Sequence, residues 1–226
     1  MRALPLPRRA LERAAQPRRF TVSDAYYIEP VEPVLRRFVE DFRNIVARER
    51  GKPGLLDALK APTEALLYDP SWITEAFRQP VPDTTASWAV YRSQDPDLCI
   101  FSMVVPAGSM TRVHNHLTDG WVGLVQGAQV ERKYVRRDRG DREGYAELEL
   151  LSADPIRLGE LTWLKHPDED IHQVVTVSDT PSVSLHVLCN DLGTVERQSF
   201  DPEAHGVENF ISGYTNIAGG AGIGKP

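Results

Sequence analysis

The chain has 226 residues, of which 41% are hydrophobic and 26% charged, and its formal net charge is −6. This length supports one sizeable core with a helical appendage. An acidic chain lacks the basic face that nucleic-acid binding requires, and no apolar run approaches the roughly 18 residues of a membrane span. We therefore expect neither nucleic acid nor membrane as a partner. Cys99 and Cys189 both lie in apolar runs, which favours buried free thiols in a reducing cytoplasm over a disulfide.

The first 20 residues carry six arginines against the single acid Glu12 and have no long apolar segment. This pattern excludes a secretory signal. It leaves a disordered arm or, in a eukaryotic source, a transit peptide, and we interpret residues 1–20 as a flexible N-terminal arm.

Residues 21–84 are predicted to form a helical extension that packs on the following domain. From Pro33 to about Arg50, apolar residues recur at helical spacing, with Pro33 suited to the first turn and Gly51 to the end. A second helix is predicted over 55–60 and a third over 62–78, the latter broken near Pro70. Their apolar stripes favour core packing over the binding of a partner protein.

Residues 85–200 are predicted to form a β-barrel, and residues 201–226 a C-terminal extension with a flexible glycine-rich tail. In the barrel region, short β-rich runs alternate with Gly, Asp and Pro turns, as an antiparallel barrel or jelly roll requires. The charged stretch from Arg132 to Leu150 fits a long hairpin with its tip near Gly140. The predicted fold class is therefore mainly β with an N-terminal helical layer.

The strongest functional signal is the segment GSMTRVHNHLTDGWVGLVQG, residues 108–127. On a strand, His114 and His116 point to the same side, about 6 to 7 Å apart, and two neutral imidazoles can bind one transition-metal ion. His172 also begins an apolar, β-rich run and is the candidate for a third ligand. Histidine pairs occur without metal on exposed strands and in cores, but the glycine-bounded apolar strands around this pair favour a metal site.

At these residues the chain resembles the cupin superfamily, whose first motif is G-x5-H-x-H-x3,4-E-x6-G. The histidines and outer glycines of that motif are present as Gly108, His114, His116 and Gly127. Gly120 stands in place of the glutamate. The second motif survives loosely as Gly159, Pro167 and His172. The resemblance implies a cupin double-stranded β-helix, that is, a jelly-roll barrel.

Within that superfamily, three histidines with glycine at the glutamate position are most similar to the thiol dioxygenases, the cysteine dioxygenase group and its bacterial relatives. Their Ser-x-His-x-Tyr relay is matched by Ser184 and His186, with Leu188 in place of the tyrosine. The resemblance gives Ser184 and His186 catalytic roles, whereas the residues by themselves are equally compatible with a core histidine bonded to Ser184. Fe(II) is the implied metal, and other divalent transition metals remain open.

Three neutral imidazoles leave Fe(II) with its full double positive charge, which favours an anionic ligand such as a thiolate. Thiol dioxygenases hold the substrate carboxylate with an arginine, whose guanidinium matches it with two parallel hydrogen bonds. Arg92 is the nearest candidate before the histidines, Tyr91 is the alternative pocket residue, and Arg112 and Arg157 are lesser candidates. The predicted function is oxidation of a small thiol to a sulfinate by dioxygen, with or without a carboxylate on the substrate.

Two other functions stay open. A three-histidine dioxygenase that cleaves a carbon–carbon bond of a dicarbonyl or aromatic substrate would have an arginine-free pocket. A non-catalytic, ligand-binding cupin would lack an open coordination position. A lyase or isomerase is disfavoured because neither Gly120 nor Leu188 offers a base. Because cupins often dimerise, a homodimer is expected by analogy.

Overall fold

The computed structural model describes residues 32–217, so the predicted arm 1–20 and the glycine-rich end of the tail lie outside the described residues. Within 32–217 the chain forms two helices and eleven strands: α1 (Pro33–Glu49), α2 (Leu55–Tyr68), β1 (Ala86–Gln94), β2 (Asp97–Val105), β3 (Val113–His114), β4 (Gly120–Gln126), β5 (Gln129–Arg136), β6 (Leu148–Ile156), β7 (Leu161–Leu164), β8 (Ile171–Thr176), β9 (Ser182–Leu188), β10 (Arg197–Asp201) and β11 (Gly206–Phe210). Two single-turn 3-10 helices, Pro70–Trp72 and Glu75–Phe77, link α2 to β1.

The barrel is an eight-stranded jelly roll. One sheet has the order β1-β2-β9-β4-β7 and the other the order β11-β10-β3-β8-β5-β6. From β2 to β9 the chain changes sheet at every connection except the β5–β6 hairpin, and the paired strands are antiparallel. This is the double-stranded β-helix of the cupin fold, and it confirms the predicted fold class.

The sheets extend beyond the eight barrel strands at both ends. β1 continues the first sheet, and β10 and β11 continue the second to Phe210, beyond the boundary predicted at residue 200. The hairpin predicted around Gly140 is present as β5 and β6, with Gly140 in the left-handed region at φ +72°. The described helices include none that is long and apolar enough to span a membrane.

The helical layer covers the outer face of the first sheet. Helix α1 forms where its apolar stripe predicted, and residues such as Phe38 and Phe42 are buried against α2 and the sheet. The predicted break between the second and third helices is wrong, because Pro62 lies inside the continuous helix α2. Burial of Leu59 and Leu66 on the packed face outweighs the loss of one backbone hydrogen bond at the proline.

A second apolar cluster fills the barrel interior. Side chains of β2 and β9 that face inwards pair across the strands, with Phe101 opposite His186 and Met103 opposite Ser184. Strand alternation therefore divides the sheet into an outer face under the helices and an inner face that reaches the histidines.

Candidate metal centre

Three histidines meet inside the barrel on the second sheet and the loop beside it. His114 on β3 lies directly opposite His172 on β8, and His116 follows two residues after His114. One ring nitrogen from each lies within 4.8 Å of the others, and all three side chains are buried. The structure thus brings together the three residues predicted as metal ligands.

Two of the rings are oriented by hydrogen bonds on the side that faces away from the cluster. Nδ1 of His172 is 2.7 Å from a carboxylate oxygen of Glu131, and Nδ1 of His114 is 2.8 Å from the carbonyl oxygen of Arg112. Each Nδ1 therefore carries the hydrogen and donates it, which leaves Nε2 with a free lone pair. Glu131 is itself buried and accepts a second hydrogen bond from Thr162, at 2.6 Å.

The spacing of the His116 and His172 nitrogens fits a single ion. Nε2 of His116 lies 3.0 Å from Nε2 of His172, and two nitrogens each about 2.1 Å from one metal at a right angle would lie about 3 Å apart. Burial, reinforced by the charges of neighbouring groups, holds the pKa of His114 and of His116 well below the usual value. Both rings are therefore neutral, which is the protonation state that binds metals.

A buried carboxylate fixes the loop that carries His116. Asp170 accepts a hydrogen bond from the backbone N–H of Leu117 at 2.7 Å, and Nδ1 of His166 lies 3.0 Å from the same oxygen. Asp119 accepts a bond from the backbone N–H of His166 at 3.0 Å. These contacts tie the loop after β3 to the turn before β8, so His116 and His172 are held at a fixed separation.

The predicted relay pair is hydrogen-bonded as its spacing on β9 suggested. Oγ of Ser184 lies 3.0 Å from Nε2 of His186, and the ring of Phe101 stacks on His186 with centroids 4.4 Å apart. His186 lines the same cavity as the cluster, with its ring 6.4 Å from that of His116. Burial lowers the pKa of His186 well below its usual value, so the ring is neutral and presents one donor and one acceptor.

Leu188 and Gly120 occupy the two positions at which the sequence differs from the motifs that it resembles, and they pack against each other. They are paired across β4 and β9, and a Cβ at residue 120 would lie 2.3 Å from a methyl carbon of Leu188. The buried leucine therefore requires glycine at this position. Residues 120 and 188 therefore form an apolar contact within the first sheet.

The predicted substrate residues Arg92 and Tyr91 do not line the cavity that contains the histidines. Arg92 is 2% exposed and is ion-paired with Asp191, to which its Nε donates at 3.0 Å. Tyr91 lies in the cluster between the first sheet and the helices, where its hydroxyl accepts a hydrogen bond from Arg43 at 3.4 Å. A register shift in β1 between Ala89 and Tyr91 accompanies this arrangement.

A different arginine lines the cavity. Arg197, at the start of β10, is 6% exposed and packs its guanidinium over the ring of Phe210 at 4.6 Å. Its Nη1 donates to the carbonyl oxygen of Asn115 at 3.0 Å, and its Nε has no hydrogen-bond partner within residues 32–217. Among those residues no carboxylate forms an ion pair with Arg197, and burial lowers its pKa to about 10.

Two further arginines were candidates from the sequence. Arg112 lines the cavity, is partly exposed and lies 3.5 Å from Glu208, whereas Arg157 is exposed and does not line the cavity. Arg112 is therefore the outer and Arg197 the inner cationic group of the cavity.

A tyrosine does reach the cavity, from a segment that the sequence did not single out. Tyr214 lines the wall after β11, and its ring meets that of Phe101 edge-on at 5.9 Å. Its hydroxyl donates to Asp191 at 2.8 Å and accepts from the backbone N–H of Gly193 at 3.1 Å. Burial raises its pKa well above the usual value, so the phenol stays protonated.

Sequence analysis missed Arg197, Tyr214 and Glu131, because none belongs to a short motif. A weak signal for Glu131 was that an acidic residue stands between the apolar Val130 and the cationic Arg132 in a β-rich run. Only the pairing of β5 with β8 brings this carboxylate to His172.

No protein-family model matches the sequence. Among solved structures, the chain is similar to an uncharacterised conserved protein with a double-stranded β-helix domain from Klebsiella pneumoniae, at 11% identity over 50% of this chain and 79% of that one, with a TM-score of 0.39. A cupin 2 domain-containing protein from Halorhodospira halophila is similar at 15% identity over 55% and 76%, with a TM-score of 0.39. An oxalate oxidase is similar at 13% identity over 51% of this chain and 57% of that one, with a TM-score of 0.40.

Proposed function

We propose that this protein is a mononuclear non-haem Fe(II) dioxygenase that oxidises a small, carboxylate-bearing thiol to its sulfinate. The observation that carries the proposal is the presence, in one cavity, of His114, His116 and the buried Arg197, which has no carboxylate partner among residues 32–217. Iron bound by these two histidines and His172 would supply the redox chemistry that joins dioxygen to sulfur.

The donor set supports this choice of substrate. Three neutral imidazoles add no negative charge, so the site retains the full charge of a divalent ion and favours a thiolate. Arg197 is the residue we assign to the substrate carboxylate, because a guanidinium offers two parallel donors and its burial strengthens the pairing. This assignment replaces Arg92, whose guanidinium is already paired with Asp191.

His186 is the residue we assign to proton handling at the substrate. Its Nε2 is bonded to Ser184, and its Nδ1 has no hydrogen-bond partner within the described residues. A neutral imidazole that faces a cavity with one nitrogen free can donate to, or accept from, a group on the substrate. Ser184 fixes the ring and so acts as a positioning residue.

The arginine-lined cavity counts against the carbon–carbon-cleaving alternative, which calls for an arginine-free pocket. Because the cavity is open to two of the three metal ligands, it also counts against a purely structural metal. We propose Fe(II) as the metal and a carboxylate on the substrate.

The test is oxygen uptake by protein reconstituted anaerobically with Fe(II), with 3-mercaptopropionate and cysteine as carboxylate thiols and cysteamine as the thiol without a carboxylate. We expect iron-dependent uptake with formation of a sulfinate, lost in His114→Ala. The matched control is His205→Ala, because His205 lies on the turn between β10 and β11 and outside the cavity. Stoichiometric iron binding without uptake on any thiol would overturn the proposal.

A further inference from the structure

The cavity that holds the histidines extends well beyond them, towards the loop after β2. Along the inner face of β2 and β9, Phe101 and His186 form one rung and Met103 and Ser184 the next, about 7 Å farther along the strands. Pro106 and Ala107 continue the wall beyond that rung. The cavity therefore has an inner part at the histidines and Arg197, and an outer part that begins at Met103.

The volume of the whole cavity is about 580 Å³. A thiol of seven heavy atoms would occupy roughly 100 to 150 Å³, since one water molecule takes a share of about 30 Å³ of the liquid. Cavities of roughly 300 to 1,000 Å³ accommodate ligands several times larger than that. A small amino-acid thiol at the metal would leave the outer part unfilled.

The outer part combines apolar surface with hydroxyl groups. Met103 and the half-exposed Met110 supply adaptable apolar surface. Ser87, which pairs with Met103 across β1 and β2, and Thr85, just before β1, supply hydroxyl groups. This pairing suits an uncharged chain that is mostly apolar and includes a polar group such as an amide.

We infer that the substrate is a thiol carboxylate with an N-acyl extension, whose head binds between the histidines and Arg197 and whose acyl chain lies in the outer part. This inference rests on the proposed function and narrows its substrate class. The thiol and carboxylate would contact the histidines and Arg197. The amide would contact the hydroxyl groups, and the alkyl chain would contact the methionines.

The experiment compares kcat/KM for cysteine with that for its N-acetyl, N-butanoyl and N-hexanoyl derivatives, using oxygen uptake by the Fe(II)-loaded protein. We expect kcat/KM to rise by about fourfold for each buried methylene group until the chain reaches the mouth. 3-Mercaptopropionates with an alkyl chain at carbon 2 and no amide form the control series. A lower kcat/KM there at equal chain length would show the contribution of the amide, and equal values would overturn it.

The variant Ala107→Trp tests where the chain lies, because residue 107 is exposed at the mouth and accepts a large side chain without disturbing the core. We expect the ratio of kcat/KM for N-hexanoylcysteine to that for cysteine to fall to about one. Leu158→Trp places the same ring at an exposed position outside the cavity and should leave the ratio as in the parent.

The outcomes separate the two proposals. Turnover of cysteine with no gain for any acylated thiol would overturn the substrate class and leave the dioxygenase function standing. No turnover of any thiol, short or long, would overturn the dioxygenase function and this inference with it. A chain-length gain that Ala107→Trp does not reduce would overturn the placement of the acyl chain.

Discussion

Two buried arginines, Arg92 and Arg197, lie in the same barrel and have opposite surroundings. Arg92 is ion-paired with Asp191, and the ring of Tyr214 lies 5.0 Å from its guanidinium. Arg197 lines the cavity, and no residue within 32–217 supplies it with a carboxylate. Because an isolated charge is costly to bury, the first arrangement is complete in the protein alone, whereas the second leaves a charge that the proposed anionic substrate would compensate.

The comparison shows that burial alone does not distinguish a binding arginine from a structural one. Both side chains are almost inaccessible, at 2% and 6% exposed. The distinction lies in the counter-ion, and the partner of Arg92 is 99 positions away in the sequence. A binding role is therefore assigned by which charges remain uncompensated after folding.

The largest effect on stability should come from breaking the ion pair between Arg92 and Asp191. Asp191→Asn removes the negative charge and leaves Arg92 buried beside a neutral amide, which typically costs 3–5 kcal/mol. We expect a loss of about that size in the free energy of unfolding, measured by urea denaturation. Asp154→Asn, on the exposed strand β6, is the control and should change stability by less than about 0.5 kcal/mol. Equal stability of the two variants would contradict the structural assignment.

A second substitution removes the positive charge of Arg197, which has no carboxylate partner within residues 32–217. Arg197→Met eliminates a buried cation with no carboxylate partner, so the free energy of unfolding should stay the same or rise. Loss of charged hydrogen bonds worth about 1.5–3 kcal/mol should raise KM for a carboxylate thiol by about 10- to 100-fold. KM for cysteamine, which has no carboxylate, should change little.

Arg112→Met provides the matched control for that experiment, because Arg112 lies at the outer part of the same cavity and is partly exposed. We expect less than a threefold effect on KM for the small carboxylate thiols. A larger effect from Arg112 than from Arg197 would reverse the assignment of the carboxylate site.

Glu131 extends the comparison to a buried carboxylate. Burial opposes its ionisation, but the hydrogen bond with His172 and the nearby charges outweigh it and lower its pKa. Glu131→Gln keeps the shape of the side chain and removes its negative charge. That charge makes Nε2 of His172 a stronger metal ligand, so affinity for a divalent metal should fall by about 10- to 100-fold. Competition with a fluorescent chelator measures this, with Glu149→Gln on β6 as the exposed control. Unchanged affinity would show that Glu131 does not support the metal site.

The smallest effect is expected where an arginine–carboxylate pair lies near the surface. Asp138 accepts hydrogen bonds from Arg136 at 2.8 and 3.0 Å and from the backbone N–H groups of Gly140 and Glu147. The Arg136 contact holds the pKa of Asp138 well below its usual range. Asp138→Asn should therefore cost only about 1 kcal/mol at pH 7.

The pH dependence of that difference has a defined sign. Since the folded pKa of Asp138 lies below the unfolded value of about 3.9, its stabilisation is complete well above that value and is lost as the pH falls. The difference in unfolding free energy between parent and variant should shrink from pH 6 to pH 2. A difference that grows on acidification would contradict this account.

The sequence by itself determined the elements with regular spacing. The apolar stripe from Pro33 predicted α1, and strand alternation placed Ser184 and His186 on one face of β9. These are local properties, since a residue's face follows from its neighbours two to four positions away. His116 lies beyond the end of β3, so strand alternation does not by itself account for its approach to His114. The β-rich runs predicted an antiparallel barrel or jelly roll, and the resemblance to the cupin motif implied the double-stranded β-helix.

Tertiary structure decided which charges meet. The carboxylate of Glu131 reaches His172 across 41 positions, and Asp191 selects Arg92 rather than Arg197 as its partner. A charge pattern along the chain does not encode such pairings, because their energies depend on burial and on groups that only the folded sheets bring together. For that reason the three candidate metal ligands could be predicted from the His114–His116 spacing, the β-rich run at His172 and the cupin resemblance, whereas the arginine proposed for the substrate became apparent only in the folded barrel.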